Sequence, residues 1–195
     1  MLYKKKEINT KLEDDEKCSA HLQDLHSKAV GVQEHFCYYL SGFVDGEGCF
    51  SVSFRERKKL NQGIEVTPSF AIAQKKSKQN YALLHKIKLI FQGGAIRDDG
   101  RGCYKYESRS ITHLKNQVIP FFVKYPLYTS KASDFLCFSE ICSLIASKQH
   151  LNKNGLSRIL LLSKSMNSSG TRKLPIHKLQ AFLLNSDSIV KRIEN

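Results

Sequence analysis

Acidic residues are scarce in this chain of 195 residues. Asp and Glu total 18 against 31 Lys and Arg, leaving a formal net charge of +13. A deficit of that size disfavours a cationic partner and favours a polyanion, nucleic acid before an acidic membrane surface. Long apolar runs are missing too. No stretch approaches the roughly twenty apolar residues of a membrane span, so no membrane partner is expected. The N-terminus lacks the apolar stretch of a secretory signal. Glu7, Glu13, Asp14, Asp15 and Glu16 disagree with a transit peptide. If the protein works in an organelle, it is therefore expected to be made there.

Metal-type cysteine spacing is also missing. The six cysteines, Cys18, Cys37, Cys49, Cys103, Cys137 and Cys142, form no Cys-x-x-Cys pair and no zinc-like spacing with histidine. Most lie in apolar stretches and are expected to be buried free thiols, which suits a reducing compartment. No internal repeat is visible.

Hydrophobic residues are present at 41%, enough for a real core. Residues 1–33 form a polar extension opening on Lys4-Lys5-Lys6. The pattern sharpens from Phe36. Leu40, Phe43 and Val44 make a helical stripe, while Gly42 and Gly46 fall four apart on another face. Each helical glycine costs about 1 kcal/mol relative to alanine. A compensating gain is therefore expected, and close packing of a second helix against Gly42 and Gly46 is the obvious one. Gly48 ends the helix.

Phe50, Val52 and Phe54 alternate with Ser51, Ser53 and Arg55, the pattern of a half-buried strand. Glu65–Ile72 is a second strand, with Pro68 marking an edge or a bulge. Ser77 caps a helix carrying Leu83, Leu84, Ile87 and Phe91. Ala95–Arg97 and Tyr104–Arg109 make a second hairpin. Helices follow over Thr112–Tyr125 and Ser130–Ser147, then Gly155–Met166 and Pro175–Ile193. The order αββαββα defines an α+β domain over residues 34–148. Its four-stranded antiparallel sheet has helices on one face and the other face free. Residues 149–195 add C-terminal helices.

The free face is polar and basic. A β-ribbon in the major groove can read base edges, so Ser51, Ser53, Arg55, Arg57, Glu65, Thr67, Ser69, Arg97, Lys105, Glu107 and Arg109 are candidates for DNA contact. Arg and Lys suit guanine, and Glu can accept from cytosine N4. Lys58, Lys59 and Arg101, in the turns, suit phosphates. Lys75 and Lys78 are further basic candidates.

The nonapeptide Leu40-Ser41-Gly42-Phe43-Val44-Asp45-Gly46-Glu47-Gly48 resembles the signature of the LAGLIDADG homing endonucleases. Leu40, Gly42, Phe43, Val44, Asp45 and Gly48 match it or nearly so. Ser41, Gly46 and Glu47 are substitutions that family tolerates. The stretches Phe70–Lys75, Gly94–Arg97 and Lys124–Leu127 look like the same family, and the resemblance covers roughly Phe36 to Ile145. It implies an intron-encoded, single-motif homodimer of an organelle, the chloroplast before the mitochondrion, joined at Gly42 and Gly46, that makes a double-strand break at a long pseudo-palindromic DNA site. It implies Mg²⁺, with Mn²⁺ or Ca²⁺ able to substitute in binding, held by Glu47 and the Gly46 carbonyl. It implies catalytic roles for Glu47, for Gln74 as the residue placing the attacking water, and for Lys131 near the scissile phosphate. It gives Asp45 a mainly structural place. Residue chemistry agrees, because phosphodiester hydrolysis needs an activated water and a stabilised leaving oxygen. Mg²⁺ often takes only one or two carboxylates. Two copies of Glu47 side by side would repel until cations separated them. The rival expectation is an intron RNA maturase on the same fold, with or without cleavage.

Overall fold

The computed structural model describes residues 33–60 and 62–167. Packing divides the chain into Met1–Leu40 and Ser41–Asn195. The border falls inside one helix, α1, residues 33–47. In the first unit, the described residues 33–40 are the opening turns of that helix. The expected N-terminal extension and the expected helix over Pro175–Ile193 lie outside the described residues.

In the second unit, α1 leads into β1 (Gly48–Glu56) and β2 (Ile64–Lys75), then α2 (Lys78–Ile90), β3 (Ala95–Asp98) and β4 (Cys103–Ser108). The strands form one antiparallel sheet in the order β1-β2-β4-β3. The α+β architecture expected above, a four-stranded sheet with several helices, is the one observed.

Register explains the two faces. Phe50 pairs with Phe70, Ile72 with Tyr106, and Tyr106 with Ile96. Side chains alternate along strands, so these residues share one face. On it Phe50 stacks on Phe70 at 5.1 Å and meets Phe122 at 5.5 Å and Phe138 at 5.2 Å. Phe91 closes edge-on against Phe70 at 5.4 Å. Burying each such ring contributes about 1.5–3 kcal/mol. This aromatic layer fixes which face is left outside.

Pro68 sits at a local edge without a bulge. Strand β2 is interior, yet β4 pairs only with its Phe70–Lys75 half, and Val52 faces Pro68 in unbroken register. The helix expected over Thr112–Tyr125 is interrupted. It runs as α3 (Ile111–His113), a π turn (Leu114–Val118) and α4 (Ile119–Lys124). The Ile119 amide reaches Leu114 O, five residues back. Pro120 follows at once; it has no N–H to give and its ring would strike a carbonyl four residues earlier. The wider turn absorbs that misfit.

Two helices complete the described chain, α5 (Lys131–Ala146) and, after a 3-10 turn at Gln149–Leu151, α6 (Lys153–Ser165). Leu156 and Leu160 of α6 are buried with Ile64, and Phe54 and Val66 pack on them. The Arg158–Glu140 ion pair, 2.8 Å, ties α6 to α5. Beyond α6, Asn167 donates through Nδ2 to Phe50 O at 2.7 Å, and its amide donates to Asp134 Oδ1 at 3.0 Å. No described helix is long and apolar enough to cross a membrane.

The cysteine expectation needs correction. All five described cysteines are free thiols, but only Cys37 and Cys142 are buried; Cys49 is exposed and Cys103 and Cys137 are intermediate. Cys49 and Cys103 pair with Ala71 and Lys75, on the outer face of the sheet, where apolar flanks in sequence do not bring burial.

Candidate active site and nucleic-acid interface

The site grows from the end of α1. Gly48 starts β1 directly after Glu47, and a Cβ there would lie 2.5 Å from Val44 Cγ1 and 2.8 Å from Val44 O. Any side chain would drive strand and helix apart, so Gly48 is required by close approach. Positive φ plays no part: Gly48 is absent from the left-handed glycines, which among the described residues are Gly63, Gly94, Gly100 and Gly102.

Ser41 is buried, and its Oγ lies 3.0 Å from Tyr125 O and 2.8 Å from Pro126 O, sharing one hydrogen between them. It clamps α1 to the end of α4. Asp45 accepts from Tyr128 N at 2.8 Å, Thr129 Oγ1 at 2.7 Å and Thr129 N at 3.3 Å. Burial pushes its carboxyl up, but those hydrogen bonds and nearby Lys131 outweigh it and hold it below the usual carboxylate range. Asp45 is thus spent on the turn preceding α5.

That turn delivers Lys131. Its Nζ donates to Gly48 O at 2.5 Å and to Gly46 O at 3.4 Å. From the sheet, Gln74 at the end of β2 donates through Nε2 to Glu47 Oε2 at 3.3 Å and to Ala73 O at 2.9 Å. Glu47, Gln74 and Lys131, far apart in sequence, therefore converge on the last turn of α1. Among the described residues, Gln74 is the one hydrogen-bond partner of the exposed Glu47 carboxylate.

Gly42 and Gly46 are exposed, and a Cβ at either meets nothing within 4 Å. Their face of α1 is a smooth backbone surface within this unit.

The oxygens of Glu47 and Gly46 form a hard donor set. Among the described residues, no group of three or more His, Cys, Asp or Glu could hold a metal. The set therefore fits Mg²⁺ bound by one or two protein oxygens with water and phosphate completing the shell, not a closed protein cage. A cation at Gly46 O would share that carbonyl with Lys131, and a carbonyl has two lone pairs to offer.

The outer sheet face carries Ser51, Ser53, Arg55, Glu65, Thr67, Ser69, Lys75, Arg97, Lys105 and Glu107, placed together by the register Ser51↔Ser69, Ser53↔Thr67, Arg55↔Glu65, Ala71↔Glu107 and Arg97↔Lys105. They are not equally available. Arg55, Lys58, Lys59, Lys78, Arg97 and Arg101 are exposed. Arg57 pairs with Glu65 at 3.3 Å. Ser51 and Ser53 donate weakly across to Ser69 O and Thr67 O at 3.4 and 3.3 Å. Ser69 and Glu107 are buried. Glu107 accepts from Ser69 Oγ at 3.1 Å, Lys105 Nζ at 2.8 Å and Arg109 Nη2 at 3.1 Å. Sequence patterning missed Lys76, which pairs with Asp98 at 2.5 Å and holds the β3–β4 tip to β2. Asp99 Oδ1 accepts from Arg101 N at 2.8 Å and Cys103 N at 2.9 Å, so the turn presenting Arg101 is preformed.

Such a fold, a motif helix ending in an open acid beside a basic sheet, is the LAGLIDADG homing endonuclease fold. The family described as LAGLIDADG endonuclease matches residues 40–142, and the chain belongs to it. Among curated relatives, "Uncharacterized 50.9 kDa protein in ND4 intron 1" of Podospora anserina is 35% identical over 116 residues, covering 60% of this chain and 26% of its own. "Probable intron-encoded endonuclease 2" of Neurospora crassa is 30% identical over 152 residues, covering 73% of this chain and 33% of its own. The chain thus spans a third or less of these relatives' length.

Among solved structures, the homing endonuclease I-TnaI superposes with TM-score 0.65 at 33% identity, covering 75% of this chain and 95% of that one. The LAGLIDADG homing endonuclease I-SmaMI bound to cleaved DNA superposes with TM-score 0.67 at 34% identity, covering 74% and 46%. I-SmaMI is also known bound to uncleaved DNA in the presence of calcium ions. The expected preference for the chloroplast finds no support among the relatives, two of which carry the intron designations ND4 intron 1 and Cox1-I1b in their names.

Proposed function

We propose that this chain is an intron-encoded, site-specific DNA endonuclease of a mitochondrial type that cuts both strands of a long pseudo-palindromic target. The observation that carries this reading is the meeting of Glu47, Gln74 and Lys131 at the end of α1, beside a basic sheet face. Residues 34–148 form the endonuclease domain in this reading, flanked by the two extensions.

Glu47, with Gly46 O, is the ligand for Mg²⁺, which when bound lowers the pKa of water and stabilises the leaving oxygen. Gln74 spends its Nε2 on Glu47 and Ala73 O, which fixes the acid's direction and leaves its own carbonyl oxygen to accept from the attacking water. Lys131 spends two hydrogens on Gly46 O and Gly48 O and keeps a third for the phosphate oxygen on which charge develops. One chain supplies one such acid. A second copy, packed through Gly42 and Gly46, brings the second, and two-fold symmetry then matches a pseudo-palindromic site.

The test is incubation of the full chain with a randomised duplex library, with and without Mg²⁺, followed by sequencing of cut ends. Discrete Mg²⁺-dependent cut sites are expected; uncut DNA would refute the reading. Light scattering of the protein should give about twice the 22.2 kDa of one chain, and a monomer that binds a full-length site would refute the assembly.

A further inference from the structure

Glu107 stands where a direct reader of bases would stand, yet its side chain is only 8% exposed. Its strand neighbours do not cover it. Across the sheet it faces Ala71 on β2 and Ala95 on β3, whose methyls are too short. The cover comes from Lys105 on β4 and from Arg109 just past its end, two positions either side, with Ser69 of β2 beneath. Lys105 Nζ lies 2.8 Å from Oε1, and Arg109 grips the carboxylate at two points, Nε to Oε2 at 3.0 Å and Nη2 to Oε1 at 3.1 Å. Ser69 Oγ fills Oε1 further at 3.1 Å. Burial pushes the Glu107 carboxyl up, but Lys105 and Arg109 outweigh it and hold it below the usual range, so it stays charged at neutral pH.

An acid filled in this way has little to offer cytosine N4. The guanidinium above it does. It is planar and carries five donors in a fixed fork. Its Nε–Nη2 edge is taken by Glu107, its Nη1–Nη2 edge has no partner among the described residues, and Arg109 is 58% exposed. Two parallel N–H groups on a fixed plane are the complement of guanine O6 and N7 in the major groove.

We propose that Glu107 is a positioning residue that aims Arg109 at a guanine without itself touching DNA. This rests on the DNA-reading role of the sheet proposed above. Glu107 also cancels one of the two cations it holds, which restrains non-specific phosphate binding while sharpening one base preference.

The full chain, Glu107→Gln and Arg109→Met are each equilibrated with a randomised duplex library, with calcium in place of magnesium, and the bound DNA is sequenced. The unaltered chain should enrich a motif containing a guanine whose preference falls about fivefold or more in both variants, the loss of a bidentate contact. Other positions should be unchanged. In Glu107→Gln, binding to random-sequence DNA should strengthen and its salt dependence steepen by about one ion, because a cation is released to phosphate. A merely structural role would move neither reading in that direction. If Glu107→Gln does not fold, Arg109→Met, altered at an exposed side chain, decides alone: guanine preference kept in it overturns the proposal. An unchanged profile in both variants, or uniform loss at every position, also overturns it. A failure of the unaltered chain to enrich any motif overturns it together with the DNA-reading role, which separates the two failures.

Discussion

The end of α1 and the middle of β4 each present a glutamate to a cation-rich surface, and the fold treats the two oppositely. Glu47 is exposed, with one long hydrogen bond among the described residues, from a neutral amide. Glu107 is buried under Lys105 and Arg109, with four hydrogen bonds and ion-pair contacts to its two oxygens. A carboxylate with open lone pairs can take a metal or a water proton. A saturated one can only hold its partners still. In the proposed reading the helix end serves chemistry and the sheet serves recognition, although both begin from the same side chain in a basic protein.

Substitutions can break this contrast at either end. Glu47→Gln removes the open charge and should lower cleavage by about a thousandfold, the rate equivalent of several kcal/mol of lost metal assistance; DNA binding in a gel-shift titration should hold. Lys131→Met keeps the stem but loses the ammonium, and single-turnover cleavage should fall about a hundredfold. At the sheet, Glu107→Gln should leave cleavage rates on a preferred site within a few-fold while relaxing one guanine position. Asp45→Asn should cost about 1 kcal/mol in a denaturant melt, comparable to the loss of a capping side chain. Asp45 is held below its ordinary value of 3.8 in the folded chain. Its contribution is therefore full above pH 3.8 and fades as pH falls through the lower folded value. Asp45→Asn should accordingly flatten the acid limb of the stability curve below about pH 4, and an unflattened limb would remove Asp45 from the turn's support.

Much of this was legible before any coordinate. The alternation of Phe50, Val52 and Phe54 marks the core face, and the motif glycines mark the helix surface. Ser77 as an N-cap is also visible in sequence, and its side chain does accept from Asn80 N at 3.0 Å. Three features were hidden for physical reasons. The π turn is invisible to helical periodicity, because Pro120 acts through the backbone of the preceding turn. Ser41 passes as a tolerated substitution until Tyr125 and Pro126, more than eighty residues away, supply the carbonyls it binds. Glu107 falls on the polar side of a correct alternation. Its burial comes from Lys105 and Arg109 reaching back over it and from Ser69 on a neighbouring strand, contacts that alternation along one strand does not show.

The contrast between the two glutamates is tested most directly by assaying Glu47→Gln and Glu107→Gln side by side on one randomised duplex library, scoring bound and cut DNA separately. The account predicts that Glu47→Gln binds the motif of the unaltered chain and cuts about a thousandfold more slowly, while Glu107→Gln cuts but loses most of its preference at one former guanine. Cleavage retained by Glu47→Gln, or the same property lost by both variants, would contradict it.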